Sequence, residues 1–151
     1  MVTYNVQKNL ARAVIFGEKA SVLKPHQKRK HAAEGDLLHI DCGNLPPDYA
    51  KSEGYHRLMV VRCCLSIPVT ITEGGFLRDG VPDAHGHRLD LMARAEGFDR
   101  FTALQLHYDR MSGLPWEGQL LRWKPAEAEF RAQWPLLEKV AVAESDGEVG
   151  S

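Results

Sequence analysis

The sequence predicts an α+β fold in which five or six β-strands and several helices share one core. Residues 57–72 form one long run of β-branched and apolar side chains, typical of a central strand that Pro68 bends or breaks. The segments 87–96 and 99–111 have helical spacing and are separated by Gly97. Because a bend in a central strand helps a sheet curl, we expect a small barrel with flanking helices.

The remaining elements are predicted from alternation, helical periodicity and chain breakers. Gly17 is expected to end the first helix, because glycine readily adopts the left-handed conformation there, and Pro25 is expected to end the second strand. In chain order, the other predicted elements are a strand at 3–6, a helix at 8–16, strands at 20–24 and 37–42, a loop at 43–54 and a hairpin or turn at 73–87.

Composition limits the class of protein. The chain has 151 residues, of which 44% are hydrophobic and 26% charged, as expected for one ordinary domain with one core. It has no run near the roughly 18 apolar residues of a membrane span, and its N-terminus resembles a strand rather than a signal peptide. We therefore expect a cytoplasmic protein with no membrane partner. The three cysteines, Cys42, Cys63 and Cys64, have no zinc-site spacing, so neither a metal nor a cofactor is expected.

Charge is distributed unevenly along the chain. The net charge is only −1, which argues against binding nucleic acid by bulk electrostatics. Between residues 19 and 31, however, five Lys or Arg and two His occur without an acid, whereas the last 25 residues contain six acids. Such a basic segment on a neutral body can concentrate an anionic ligand locally.

Two motifs carry a resemblance to a known family. Residues 92–123, MARAEGFDRFTALQLHYDRMSGLPWEGQLLRW, contain A-x-x-E-G-F followed by G-L-P-W-x-G-x-L-x-R-W. Residues 17–24, GEKASVLK, follow G-x-K-x-x-T-x-R except that Val22 replaces the threonine and Lys24 the arginine. In these motifs the chain resembles small single-domain ASCH proteins of the PUA-like superfamily. The resemblance covers residues 1–124 and implies a PUA-like small β-barrel of five or six strands with flanking helices.

The C-terminal tail, residues 125–151, lies outside this resemblance. A short helix is expected over residues 126–140, because Phe130, Trp134 and Leu137 fall on one helical face. The last ten residues are rich in Gly, Ser and acids, which predicts disorder.

The resemblance implies binding of RNA or nucleosides. Some members of the family hydrolyse N4-acetylcytidine with a Lys, Thr and Glu, and ribonuclease activity has also been attributed to members. By position, the lysine is Lys19, the threonine is Val22 and the acid is Glu96. The catalytic candidates are therefore Lys19, Glu96 and the nearest hydroxyl, Ser21, although Ser21 should face away from Val22 if the segment is extended. Water activated between Lys19 and Glu96 would need no protein nucleophile, and a plain salt bridge between them is the structural alternative.

The basic segment supplies the candidate RNA contacts, because Lys and Arg neutralise phosphates and His can donate to them or stack on bases. Trp116 is the candidate exposed aromatic, with a structural plug against Phe98 as the alternative. Tyr4, Phe101 and Tyr108, like Phe98, are expected in the core. The candidate RNA-binding residues are Lys24, His26, Lys28, Arg29, Lys30 and Trp116.

Three functions remain open at this level. The leading hypothesis is an RNA-binding or nucleotide-binding protein without efficient hydrolysis, since the motif threonine is missing. The alternative is a hydrolase of an acylated cytidine or of RNA, with Lys19 as base and Glu96 as proton shuttle. The third is a protein-interaction module in which the acidic tail docks on a partner or on the basic segment.

Overall fold

The computed structural model describes residues 2–26, 30–43, 56–83 and 86–132. Single 3-10 turns lie at Lys8–Leu10 and Pro125–Glu127. The helices are α1 (Ala11–Ile15), α2 (Gly86–Ala95) and α3 (Phe101–Ser112). The strands are β1 (Val2–Val6), β2 (Ser21–Pro25), β3 (Leu37–Cys42), β4 (His56–Thr72), β5 (Gly75–Arg78), β6 (Val81–Asp83), β7 (Trp116–Trp123) and β8 (Phe130–Arg131).

The central element of the fold is the 17-residue strand β4. Its first half pairs with β3 and β8, and its second half pairs with β5 and β7, all antiparallel. β1 adds to β3 in parallel, β6 adds to β5, and β2 adds to β7. The α+β class predicted from the sequence is confirmed.

The described strands form one sheet that does not close into a barrel. The edge strands β1 and β2 are bridged by a side chain, because the Lys24 ammonium donates to the Asn5 carbonyl over 2.7 Å. Pro68 does not break β4: it remains in register with Gln119, and the irregularity in the ladder falls between Cys63 and Leu65. The Pro68 carbonyl accepts a hydrogen bond from the Asp79 N–H.

The core consists of two hydrophobic clusters on opposite sides of the sheet. The first contains side chains of β1, α1, β3 and the first half of β4, and the second contains side chains of α2, α3, β5 and the second half of β4. Val22 belongs to the first cluster and Leu23 to the second, because successive strand residues face opposite ways. β2 therefore lies between the clusters, with one edge paired to β7.

The described part of the tail differs from the expected helix. Residues 130–131 form β8 instead, which pairs with Met59 and Val60 of β4. The Glu129 and Ala132 N–H groups donate to β4 carbonyls, and Ala132 is 8% exposed. An open strand edge satisfies these backbone groups, whereas an isolated short helix is marginal in water. Residues 133–151, including Trp134, lie outside the described residues.

None of the helices in the described ranges has the length and hydropathy needed to cross a lipid bilayer.

Candidate functional site

A buried ion pair joins the segment before β2 to the end of α2. The Lys19 side chain is almost fully buried, and its ammonium donates to the Ala95 carbonyl over 2.5 Å. The same nitrogen lies 3.5 Å from Glu96 Oε2. Because carbonyl groups at a helix C-terminus carry partial negative charge, the end of α2 favours a cation here. The pair predicted from the two motifs is therefore formed in space.

Glu96 also provides a hydrogen-bond acceptor for the unpaired edge of β2. Its Oε1 accepts a hydrogen bond from the Leu23 N–H over 2.6 Å. Among the described strands β2 pairs only with β7, so this N–H has no strand partner on its other side. One carboxylate thus contacts both Lys19 and the β2 backbone, which fixes its orientation.

Burial shifts the ionisation of this group of side chains. It lowers the pKa of Lys19 and raises the pKa of Glu96, while the attraction between the two charges opposes both shifts. Burial, together with the nearby Glu96 charge, raises the pKa of Tyr108 to about 12, so the phenol stays protonated. Opposite shifts in a contacting acid and base make proton transfer between them less costly than between exposed groups.

The ion pair lies at a cavity of about 150 Å³. One wall is aromatic: the Phe98 and His107 ring centroids are 5.1 Å apart, and those of His107 and Tyr108 are 5.2 Å apart. The remaining lining residues come from β1 and its following turn, from the Lys19 segment, from β2 and from the position after α2; they are Asn5, Val6, Gln7, Leu10, Lys19, Val22, Leu23, Lys24 and Glu96. Rings therefore line the same cavity as a buried ion pair, a combination suited to a planar, polar ligand.

The structure separates the predicted catalytic residues. Lys19, Val22 and Glu96 line the cavity, and Val22 is 1% exposed. Ser21 lies outside the cavity lining, is in register with Arg122 of β7, and faces the opposite side of β2 from Val22. Ser21 is therefore not positioned as a nucleophile for a ligand in this cavity.

The predicted RNA contacts divide in a similar way. Lys24 lines the cavity, and His26 and Lys30 are exposed. Trp116 is only 8% exposed and packs against Tyr108, with ring centroids 4.3 Å apart, so it supports the aromatic wall from behind instead of offering an exposed face. Trp116 is therefore a structural plug, but its ring packs against Tyr108, whereas the alternative predicted a contact with Phe98. Lys28 and Arg29 lie outside the described residues.

Sequence reasoning missed the aromatic wall. The apolar pattern predicts Phe98 and Tyr108 in the core, and it does not indicate that His107 lines a cavity. The His-Tyr pair at 107–108, on the edge of the apolar face of α3, is the one local signal that could have indicated a wall facing a polar cavity. Within the described ranges, no three His, Cys, Asp or Glu side chains cluster closely enough to hold a metal ion.

Comparison with known proteins adds no family or fold assignment. No protein-family model matches the chain, and no curated protein and no solved structure does so either. The fold and site define an α+β protein with a small cavity that combines aromatic rings and a buried ion pair. Its function is inferred from that chemistry and from the two motifs.

Proposed function

We propose that the protein binds RNA or a nucleotide, with one base in the cavity beside Lys19 and Glu96, and that it does not hydrolyse its ligand efficiently. One observation carries the proposal. The rings of Phe98, His107 and Tyr108 line the same small cavity as a buried, oriented ion pair. A nucleobase has the matching properties, since its faces stack on aromatic side chains and its edge exchanges hydrogen bonds.

The size of the cavity supports a single base. At about 150 Å³ it is smaller than the roughly 300 Å³ at the lower end of sites for drug-sized ligands. The base would therefore occupy the cavity while the sugar and phosphate remained at its mouth.

The charges favour an anionic group at that mouth. Lys19 and Glu96 largely offset each other, whereas the hydrogen-bond partner of the Lys24 ammonium is the neutral Asn5 carbonyl. Burial lowers the pKa of Lys24, so desolvation of its charge carries a cost that a bound phosphate would relieve. Lysine lacks the planar fork of the family's arginine, so we expect charge recognition rather than a bidentate contact.

The lining explains why efficient hydrolysis is not expected. Amide hydrolysis through a covalent intermediate needs an activated hydroxyl or thiol, and none of the described residues that line the cavity is a Ser, Thr or Cys. Val22 stands where the family has threonine, and an isopropyl group cannot attack a carbonyl.

A hydrolase remains the second candidate, because the opposite pKa shifts of Lys19 and Glu96 suit general acid–base chemistry. Lys19, as the base, would take a proton from water as the water oxygen bonds to the acyl carbon of an acylated cytidine. The bond from that carbon to the cytosine nitrogen would then break, and Glu96, as the proton shuttle, would pass the proton from Lys19 to the leaving amine. The products would be a carboxylic acid and cytidine. The tail required by the protein-interaction hypothesis lies mostly outside the described residues.

Binding can be tested with a fluorescent eight-nucleotide single-stranded RNA. We expect Lys24→Glu and Tyr108→Leu each to weaken binding, the second by about 1–3 kcal/mol because it removes a stacking face. Lys124→Glu is the matched control, because Lys124 is exposed and does not line the cavity. Equal affinity of all four proteins for the RNA would refute the proposal.

Catalysis can be tested separately by mass spectrometry of N4-acetylcytidine incubated with the wild type and with Lys19→Ala. We expect no lysine-dependent product. Acetate and cytidine formed by the wild type but not by the variant would instead establish the hydrolase.

A further inference from the structure

A second cavity, of about 400 Å³, lies beside the first on the β2–β7 part of the sheet. Its rim carries the exposed His26 and Lys30, and its inner lining includes His31, Ser66 and Gln119. Its volume falls within the roughly 300–1,000 Å³ of ordinary ligand sites. The function proposed for the first cavity does not use it.

The imidazole wall of the second cavity is held in one orientation. His31 Nε2 lies 2.8 Å from the Pro25 carbonyl, which can only accept, so this nitrogen carries the proton. The Tyr4 hydroxyl then donates to His31 Nδ1 over 3.0 Å and accepts from the Ala32 N–H over 3.1 Å. Tyr4 is only 3% exposed, so the whole network is anchored in the core.

The polar side chains of Ser66 and Gln119 in the second cavity are also held in fixed orientations. The Ser66 hydroxyl donates to the Ala32 carbonyl over 2.5 Å, and the Gln119 amide nitrogen donates to Ser66 Oγ over 2.9 Å. An amide fixed through one N–H still presents a second N–H and a carbonyl, which are the groups that read the edge of a base. The exposed Glu34 also lines the cavity, and its carboxylate can turn into solvent.

The two cavities are connected through β2 and β7. Lys24 lines the first cavity, and its register partner across the ladder, Gln119, lines the second. His26 lies two residues beyond Lys24. Its N–H donates to the Glu117 carbonyl, so His26 extends the contact between β2 and β7 beyond Pro25. Two residues of extended chain span about 7 Å, a separation of the same order as one nucleotide step in a stretched single strand.

We infer that the second cavity holds the nucleotide adjacent to the one whose base enters the first, so that the ligand is a single-stranded oligonucleotide rather than a free nucleoside. This inference rests on the proposed function. The linking phosphate would lie between Lys24 and His26, with Lys30 contributing a second positive charge at the rim.

The inference is tested by titrating the 151-residue chain with cytidine and with the dinucleotide CpC in a calorimeter. We expect CpC to bind the wild type about tenfold more tightly than cytidine, since one additional stacked base and phosphate contribute on this scale. In the His26→Ala/Lys30→Ala variant the CpC advantage should fall to about twofold or less, while cytidine affinity is retained. Lys124→Ala, which removes an exposed positive charge outside both cavities, should keep the full advantage.

The possible outcomes distinguish failure of this inference from failure of the proposed function. Cytidine and CpC binding with equal affinity would overturn the inference but leave the single-base cavity standing, as would a CpC advantage that survives the double variant. If neither compound bound, both the inference and the proposed function would fail. Displacement of CpC from the wild type by hexaglutamate at similar concentration would show that the second cavity takes acidic peptides, and would likewise overturn the inference.

Discussion

At the scale of single residues, the Lys19–Glu96 pair stands out because burying charges is costly. Lys19 is 1% exposed, and desolvation shifts the pKa of each partner towards the value that favours its neutral form. The attraction between two buried charges seldom exceeds the combined cost of desolvating them, and apolar replacements are often at least as stable. We therefore propose that this pair serves ligand recognition more than stability.

The first prediction concerns this pair. Lys19→Met leaves the Glu96 carboxylate buried without its cation, so we expect unfolding at pH 8 to become easier by about 3 kcal/mol. A carboxyl whose pKa is raised by folding contributes stability below its ordinary value of 4.5, and loses that contribution as the pH rises through its folded-state pKa. The variant should therefore gain stability between pH 8 and pH 5, as measured by urea denaturation.

The matched control is Lys19→Met/Glu96→Gln, in which the titrating carboxyl is removed but an acceptor for the Leu23 N–H is kept. Its stability should vary less over the same pH range. Parallel pH profiles for the two variants would mean that Glu96 does not carry the effect.

The second prediction adds a hydroxyl at the position where the resembled motif has threonine. Val22→Thr places a hydroxyl in the cavity that contains Lys19, and we expect it to produce detectable deacetylation of N4-acetylcytidine by mass spectrometry. Because Val22 is buried, the substitution should also cost about 1–3 kcal/mol of stability. Val22→Ala enlarges the cavity without adding a hydroxyl and should show no product. An inactive but folded Val22→Thr protein would argue against this use of Lys19.

At the scale of elements, the close contact between β2 and β7 involves Trp116, which packs against Tyr108 in the wall of the first cavity. A Cβ atom on Gly118 would lie 2.4 Å from the Lys24 carbonyl oxygen and 2.3 Å from the Trp116 ring. Because that ring packs behind Tyr108, the absence of a side chain at Gly118 lets the strand pair support the aromatic wall.

The third prediction follows from this close approach. Gly118→Ala should destabilise the protein by about 1–3 kcal/mol through overpacking, and should weaken RNA binding by displacing Trp116 and Tyr108. Gly74→Ala is the control, because no atom lies within 4 Å of its added Cβ. Thermal unfolding and RNA anisotropy of the two variants measure both effects, and equal melting temperatures would contradict the prediction.

At the scale of the whole molecule, the folded unit extends past the last motif. β8 pairs with β4, and Ala128 and Ala132 pack on the first hydrophobic cluster. Pro125 also lies against Gly17, where an added Cβ would come within 3.1 Å of its side chain. Residues 125–132 are therefore part of the described fold, although the sequence resemblance ends at residue 124.

The fourth prediction tests this boundary by truncation. A chain ending at Ala132 should unfold cooperatively at nearly the temperature of the full chain, because it keeps every described contact. A chain ending at Lys124 should melt several degrees lower, since it loses β8 and exposes the β4 edge. Circular dichroism melts compare the two, and identical melting temperatures would place the boundary of the stable unit at residue 124.

The sequence by itself determined the α+β class, the position of β2 and the side of that strand on which each residue lies. Strand alternation correctly placed Val22 and Lys24 on one face and Ser21 on the other, because that period is a local property of extended chain. The motifs also identified Lys19 and Glu96 as partners, although the backbone group that accepts the Lys19 hydrogen bond, the Ala95 carbonyl, lies 76 residues away.

Only the tertiary structure decided which segments pack against each face of the strands and helices. Helical spacing indicates that Tyr108 belongs to an apolar face of α3, but not that this face ends at a polar cavity or that Trp116 lies behind it. Nor does it show that Phe98, which lies between α2 and α3 and not within a helix, lines the same cavity. Nor could local pattern show that β1 and β2 are bridged by Lys24, or that residues 130–131 find the β4 edge. These features depend on contacts between distant segments, whose geometry is set by the packing of the whole sheet and not by the periodicity of any one element.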